Sequence, residues 1–175
     1  GGWVRHTPTP PYRRSRGLIL IDLADSRNPY NSFLNIPLED IEPFTAVIWD
    51  DGRLFECRWD GSTKYHKQLD AQQPHIWSSV TLYDEAVINR RKEWFTGWIT
   101  QNPQPTQQEI LNFHLFTGDG DSHNDLRMNR DGLVFTVSVT SMKLNGSEVH
   151  MQYLDLKNNK TYSHELAFEK TMVGR

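Results

Sequence analysis

The sequence has only one cysteine, Cys57, among its 175 residues. A single thiol excludes an internal disulfide bond and any zinc site that needs several cysteines, and it is typical of a reducing compartment. The seven histidines do not indicate a metal site either, because none of them has the spacing of a known metal-binding motif. We therefore predict a cytoplasmic protein with no metal site and no cofactor.

An excess of basic residues and long apolar runs are also missing. Nineteen Lys and Arg residues stand against 22 Asp and Glu residues, for a formal net charge of -3, whereas nucleic-acid backbones are bound by clustered basic charge. The best apolar run, residues 17–21, ends at Asp22 and is far shorter than the roughly 18 to 20 residues that cross a bilayer. These absences predict that neither nucleic acid nor a membrane is a partner.

Bulky apolar residues, by contrast, are plentiful. Hydrophobic residues make up 37% of the chain and aromatic residues 11%, which is more than a disordered chain carries. The length suits one domain, so we predict a single domain over residues 1–175. The chain opens with Gly1-Gly2-Trp3, without Met and without a signal-peptide pattern, and we expect it to be part of a longer protein.

The first half of the chain predicts short helices followed by an antiparallel sheet. Three prolines within residues 8–11 favour an extended loop, after which Ser15 can cap a helix that runs to Leu23. A second helical turn is predicted at residues 32–35. Apolar runs bounded by Asp-Gly pairs then predict four strands, over residues 44–49, 54–59, 62–68 and 76–81. In the first strand, Thr45, Val47 and Trp49 share one face.

The second half predicts a helical pair and a second set of strands. Asp84 is expected to cap a helix over residues 84–100 whose apolar stripe packs against a sheet through Val87, Trp94 or Phe95, and Trp98. A further helix follows Pro103 and Pro105, with a stripe formed by Ile110, Leu111, His114 and Leu115. Strands are then predicted over residues 133–142, 148–155 and 161–168. Runs of antiparallel strands separated by helices predict the α+β class.

Cys57 is the one thiol that a nucleophile hypothesis can use. It lies between Glu56 and Arg58 in the middle of a predicted strand, where no turn or helix start lowers its pKa. Free cysteines of this kind are usually buried. We predict that Cys57 is structural.

A cluster of arginines lies beside the predicted helix start at Ser15. Tyr12, Arg13, Arg14 and Arg16 make a combination that can hold a carboxylate or a phosphate. The alternative is a solvated charged surface, which is the usual environment of exposed arginines. We take these four residues as candidate ligand-binding residues.

Spaced carboxylates in residues 119–125 resemble a calcium-binding loop only in part. Counted from Asp119, the sixth and twelfth positions are Asn124 and Arg130, where a helix-loop-helix calcium site has Gly and Glu. Asp, Gly and Asn form turns without a metal. The pattern favours a solvated loop.

An ordered series of short segments resembles one known family. The segments are Gly1-Gly2-Trp3, Pro10-Pro11-Tyr12-Arg13-Arg14-Ser15-Arg16-Gly17, Glu42-Pro43-Phe44-Thr45, Trp77-Ser78-Ser79, Leu82-Tyr83 and Arg91-Lys92-Glu93-Trp94-Phe95. Together they resemble bacterial members of the Asn-Arg-Asp-Glu (NRDE) family, also called the transport-and-Golgi-organisation type 2 family. The resemblance covers nearly all of the chain.

The resemblance implies an N-terminal-nucleophile (Ntn) hydrolase-like fold. This fold is an αββα sandwich of two antiparallel sheets between helices, and its N-terminal part would be missing here. Family members begin Met-Cys-Thr, and the cysteine becomes the nucleophile after Met is removed. Gly1 has no side chain, so we expect no catalytic nucleophile in this chain. Asn129-Arg130-Asp131 is followed by Gly132 and lies near the other end of the chain, so we interpret its likeness to the family signature as coincidence.

The same resemblance suggests three auxiliary residues. Arg130 would stabilise a thiolate electrostatically, and Ser78 or Ser79 would lie near the oxyanion position. The implied activity is hydrolysis of a non-peptide carbon-nitrogen bond in a small-molecule substrate, with the nucleophile upstream of Gly1. The alternatives are a carrier of haem or another small ligand and an interaction module without a small-molecule site.

Overall fold

The computed structural model describes residues 5–167, so predictions that concern Gly1-Gly2-Trp3 and Phe168 lie outside the described residues. The described chain is α+β with antiparallel sheets, which confirms the predicted class. Its helices are α1 (Arg16–Ala24), α2 (Pro29–Asn35), α3 (Glu85–Gln101) and α4 (Gln107–Phe116). Its strands are β1 (Phe44–Asp50), β2 (Arg53–Trp59), β3 (Lys64–Leu69), β4 (Asn129–Arg130), β5 (Val134–Phe135), β6 (Ser138–Asn145), β7 (Glu148–Asp155) and β8 (Lys160–Ala167).

The chain divides after Lys92 into two compact units. The first contains α1, α2, the sheet β1-β2-β3 and the start of α3, and the second contains the rest of α3, α4 and the sheets β4-β5 and β6-β7-β8. The single domain over residues 1–175 stays a prediction.

The first unit packs its two short helices on one face of its sheet. The Ser15 side chain accepts a hydrogen bond from the Leu18 N–H, so the predicted cap of α1 is confirmed. The core contains Ile19 and Leu23 of α1, Phe33 of α2 and alternate residues of β2, and its members on β2 are Phe55, Cys57 and Trp59. Because side chains alternate along a strand, the residues between them point to the other face of the sheet.

Asp-Gly turns set the register of this sheet. Asp51 and Gly52 both have positive φ, 49° and 74°, as a two-residue hairpin turn of the I′ type requires. The turn pairs Val47 with Glu56, and the next hairpin pairs Glu56 with Lys67. Thr45, Val47 and Trp49 share one face, as predicted from the alternation, and the pairing of Val47 with Glu56 places Glu56 on that face.

The predicted strand over residues 76–81 is wrong. The sheet ends at β3, and residues 74–79 form an irregular segment without strand hydrogen bonds. Side-chain contacts hold this segment where strand hydrogen bonds are missing. The Trp77 indole N–H donates to Glu56, and the His75 ring is within hydrogen-bond distance of the Asp70 carbonyl. Local apolar pattern cannot distinguish a strand from an extended segment held by its side chains.

In the second unit, aromatic residues join α3 to α4. Trp98 packs on Phe113 with ring centroids 4.7 Å apart, and Phe95 packs on the same ring at 5.8 Å. The apolar stripe of α3 therefore covers a helix here, where a sheet was predicted. On α4 the buried residues are Leu111 and Phe113, and Leu115 is half-buried, while Ile110 and His114 are exposed. Of the predicted stripe, Leu111 is therefore buried and Leu115 is partly buried.

The predicted strand over residues 133–142 is interrupted. Val134 and Phe135 pair with β4, and a new strand begins at Ser138. The turn that joins β4 to β5 contains Asp131 and Gly132, both with positive φ. Asp131-Gly132 is therefore a hairpin signal inside the strand that was predicted as continuous. The last two strands pair as predicted, through a turn at residues 156–159.

Candidate functional site

A cleft of about 480 Å³ lies on the face of the β1-β2-β3 sheet that the helices α1 and α2 leave uncovered. Its floor is the sheet, one wall is residues 75–80 of the irregular segment and the turn that follows it, and the start of α3 contributes two side chains. The lining residues from the strands are Thr45, Val47, Glu56, Arg58, Lys67 and Leu69, and those from α3 are Ile88 and Lys92.

Glu56 lines the cleft and is only 7% exposed. Its Oε2 accepts a hydrogen bond of 2.6 Å from the Trp77 indole N–H and one of 2.9 Å from an Arg58 guanidinium N–H. Its other oxygen, Oε1, is 3.7 Å from the Lys67 Nζ. A buried carboxylate is stabilised by such charged and hydrogen-bonding partners.

Two opposing effects set the pKa of Glu56. Burial is the largest single effect and raises the pKa, because it disfavours the charged form. The Trp77 hydrogen bond, the Arg58 hydrogen bond and charge, and the Lys67 charge together outweigh burial and hold the pKa below its ordinary value. Glu56 is therefore an anion at neutral pH. It is suited to fix the positions of Trp77 and Arg58 and is a poor proton donor.

The chain brings these groups together by strand alternation and register. Arg58 follows Glu56 by two positions on β2, so both side chains point to the same face. Lys67 is the partner of Glu56 across the β2-β3 pair. Trp77 reaches the same carboxylate from the irregular segment, 21 positions further along the chain. Register is a tertiary property, so no local motif marks this constellation.

Ser78 and Ser79, the two serine candidates, both line the cleft. They differ in their contacts. The Ser79 hydroxyl lies 2.9 Å from the Thr81 hydroxyl, and the Ser79 carbonyl accepts hydrogen bonds from the Leu82 and Tyr83 N–H groups. The Ser78 hydroxyl has no hydrogen-bond partner within residues 5–167. Of the two, Ser78 is the one whose hydroxyl is available to a bound molecule.

Three of the four ligand-binding candidates near Ser15 line one depression, and each of the three arginines is paired within the protein. Arg13 donates to the Pro37 and Glu39 carbonyls, and Arg14 forms a two-bond ion pair with Asp22. Arg16 forms an ion pair of 3.1 Å with Glu42. Tyr12, Arg14 and Arg16 line a second, separate depression of about 430 Å³, whereas Arg13 does not. Their role in ligand binding stays a prediction.

Arg130 lies on β4 in the second unit, where its Nε donates to the His123 carbonyl at 3.1 Å. In the neighbouring loop the carboxylates accept hydrogen bonds from the loop itself. Asp125 accepts from the Asp119 N–H, and Asp121 accepts from the His123 N–H and the Asn124 amide. Within residues 5–167, no group of three or more His, Cys, Asp or Glu side chains is placed to hold a metal ion.

Cys57 belongs to the opposite face of the sheet and not to the cleft. Its side chain is part of the core beneath α1 and α2 and is 0% exposed. Burial, with a smaller contribution from the Glu56 charge, raises the pKa of the thiol to about 12. A protonated, inaccessible thiol is not a nucleophile, which agrees with the structural role predicted for it.

Sequence reasoning named Ser78 and Ser79 but missed Glu56, Arg58, Lys67 and Lys92. One signal was present in the alternation along β2, because Glu56 and Arg58 lie between the core residues Phe55, Cys57 and Trp59 and so point to the other face. Charged residues there show that the second face of the sheet is polar. Which other segment would meet that face was not visible in the sequence.

Comparisons with known proteins found no significant match. The sequence matches no family model, and neither curated proteins nor solved structures give a significant match. Within residues 5–167, no helix has the length and apolar character that crossing a bilayer requires.

Proposed function

We propose that this chain supplies the substrate-binding part of an Ntn-type hydrolase that cleaves a non-peptide carbon-nitrogen bond. The nucleophile of this proposal lies outside the 175 residues, and the substrate binds in the cleft over β1, β2 and β3. The observation that carries the proposal is the Ser78 hydroxyl, which lines a cleft on an antiparallel sheet and has no partner within the described residues.

The Ser78 hydroxyl has the chemistry that amide hydrolysis needs from an auxiliary group. Attack on an amide carbon places negative charge on the carbonyl oxygen, and a fixed hydrogen-bond donor lowers the energy of that state. The chain segment that carries Ser78 is held by the bond between Trp77 and Glu56. A donor on a held segment costs little reorganisation when charge develops.

The sheet and helices of the first unit agree with one half of an αββα sandwich. Helices cover one face of an antiparallel sheet and the second face is left uncovered by them. In the proposed fold, that second face belongs to the interior of the sandwich, next to the reacting groups. The NRDE resemblance of the sequence supports the same fold.

The test is an assay of acyl-amide substrates with three proteins. They are the 175-residue chain, its Cys57→Ala variant and a form extended at its N-terminus to the start of the natural reading frame. We expect turnover only from the extended form. In that form, Ser78→Ala should lower kcat by about 100-fold, the usual effect of losing one oxyanion donor, and Ser79→Ala should change it much less. Turnover by the 175-residue chain that disappears in Cys57→Ala would overturn the proposal.

A second candidate function is a carrier of a small ligand without catalysis. The cleft is large enough for a small ligand, and the thiol of Cys57 lies on the other side of the sheet. A ligand in the cleft would therefore meet no thiol nucleophile from this chain, which favours binding without catalysis. Haem fits less directly than a smaller molecule, because the His75 Nε2 is already within 2.8 Å of the Asp70 carbonyl. Ligand binding by the extended form without turnover of any amide would favour this carrier function.

A further inference from the structure

We infer that the cleft binds a small planar organic anion, with the anionic group held by Lys67 and Lys92 and the flat part against Trp77. The inference rests on the proposed function only in taking this cleft as the binding site. It adds the chemical class of the molecule that enters.

The charge of the lining is the first argument. Glu56 is its only carboxylate, whereas Arg58, Lys67 and Lys92 are cations. The cleft therefore has two positive charges in excess, although the whole chain has a formal net charge of -3. A concave site with charge of one sign favours a ligand of the opposite sign.

The second argument is that Lys67 contacts Glu56 only at long distance and that Lys92 has no partner within residues 5–167. The charge of Glu56 is partly compensated by the short hydrogen bonds from Trp77 and Arg58, which both end on Oε2. The Lys67 Nζ is further away, at 3.7 Å, and its side chain is 65% exposed. Lys92 is exposed and forms no hydrogen bond or ion pair with residues 5–167. Both ammonium groups can turn toward an anion in the cleft.

The third argument concerns the apolar part of the ligand. Trp77 is 38% exposed although its ring nitrogen is fixed by Glu56, so part of a large aromatic ring is left open at the lining. The His75 ring lies 5.6 Å from it, centroid to centroid, at an angle of 35°. Ile76, Val80 and Ile88 add apolar surface. A fixed aromatic surface of this kind favours a flat ring.

An ammonium group attracts a carboxylate and a phosphate alike. The proposed ligand is therefore a flat apolar ring that carries either of these anionic groups. Four probes with one ring system separate the possibilities. They are 2-naphthoate, 2-naphthyl phosphate, the neutral 2-naphthamide and the cationic 2-naphthylmethylamine. Binding is followed in the 175-residue chain by NMR, with the Trp77 indole signal assigned through Trp77→Phe.

We expect the two anions to shift the Trp77 signal and to bind about tenfold more tightly than the amide, while the amine binds most weakly. The double variant Lys67→Gln, Lys92→Gln should lose that tenfold preference without changing the affinity for the amide. Lys157→Gln, in an exposed turn, serves as the matched control and should bind like the natural chain. Lys67→Arg, Lys92→Arg should restore the preference, which separates loss of charge from loss of folding.

Equal affinity for the anion, the amide and the amine would overturn the inference, and so would anion binding that survives in the glutamine double variant. A carboxylate that binds more tightly than the phosphate identifies the class as carboxylates, and the reverse identifies phosphate esters. Anion binding by a protein that never hydrolyses amides would contradict the proposed function alone. Hydrolysis without any preference for anions would contradict this inference alone.

Discussion

At the scale of single residues, Glu56 connects the sheet to the segment that forms the cleft wall. A carboxylate that is 7% exposed needs partners, and its partners are a neighbour on the same strand, Arg58, a cross-strand lysine and a distant indole. Removing Glu56 would leave the Arg58 guanidinium without its counter-charge and Trp77 without its acceptor. Stability and site geometry therefore depend on one side chain.

Glu56→Gln should make the protein less stable at neutral pH and have less effect in acid. Because the folded-state pKa of Glu56 is below the value of about 4.5 expected when unfolded, its charge stabilises the fold above that pH, and this contribution is lost as the pH falls through the folded-state pKa. We expect the free energy of unfolding to fall by about 1–3 kcal/mol at pH 7. The difference should shrink as the pH falls below 4.5.

Urea denaturation of both proteins between pH 7 and pH 2 measures this difference. Glu148→Gln, at an exposed position at the start of β7, is the control and should change the free energy of unfolding little. A Glu56→Gln difference that stays constant from pH 7 to pH 2 would show that the charge of Glu56 does not stabilise the fold.

Cys57 should react with a thiol reagent only when the protein opens. Its pKa of about 12 leaves very little thiolate at pH 7.5, and its side chain is fully buried. We expect labelling of the native protein to be at least about 100-fold slower than labelling in urea at the same pH. A native rate equal to the rate in urea would contradict the structural role.

At the scale of elements, the loop after α4 depends on a glycine for space and not for an unusual φ. A Cβ at Gly118 would overlap the carboxylate of Asp125, which accepts a hydrogen bond from the Asp119 N–H. A side chain there has to displace Asp125 and break that bond. Gly97, within α3, has nothing within 4 Å of a Cβ.

Two glycine substitutions in the second unit should therefore have opposite signs. Gly118→Ala should lower the free energy of unfolding by about 1–2 kcal/mol, because a hydrogen bond is lost and the loop has to shift. Gly97→Ala should raise it by about 0.5–1 kcal/mol, since alanine restricts the unfolded chain and favours the helix. Thermal and urea denaturation of both variants measure the signs, and a stabilising Gly118→Ala would show that the loop adapts freely.

At the scale of the whole molecule, the net charge of the chain and the charge of the cleft lining have opposite signs. The chain has a formal net charge of -3, yet the lining of the cleft has an excess of cations. The attraction between an anion and the cleft is therefore local, and it comes from exposed lysines that salt screens.

The affinity for 2-naphthoate should accordingly fall as salt is added. Between about 20 mM and about 200 mM sodium chloride we expect the Kd to rise about two- to fivefold, because the Debye length shortens from roughly 20 Å to less than 10 Å. The affinity for neutral 2-naphthamide provides the comparison and should change little. Titrations at three salt concentrations are sufficient, and a Kd for 2-naphthoate that is constant with salt would show that the lysines do not carry the attraction.

The sequence by itself determined several helix caps and hairpin turns. Ser15 caps α1, Asp84 hydrogen-bonds to the Val87 N–H at the start of α3, and Asp-Gly pairs turn the first hairpins. Each of these features is settled within a few residues, because caps and turns satisfy backbone groups and dihedral angles locally. The α+β class follows from the order of such elements.

Only the tertiary structure decided which charged side chains meet and what covers each apolar face. Glu56 meets Lys67 through strand register and Trp77 through a segment with no strand pairing, and Trp98 packs on a helix where a sheet was predicted. These contacts join residues that are distant in the chain. Their energies depend on burial and on the partner that arrives, and neither is encoded in the local pattern of the sequence.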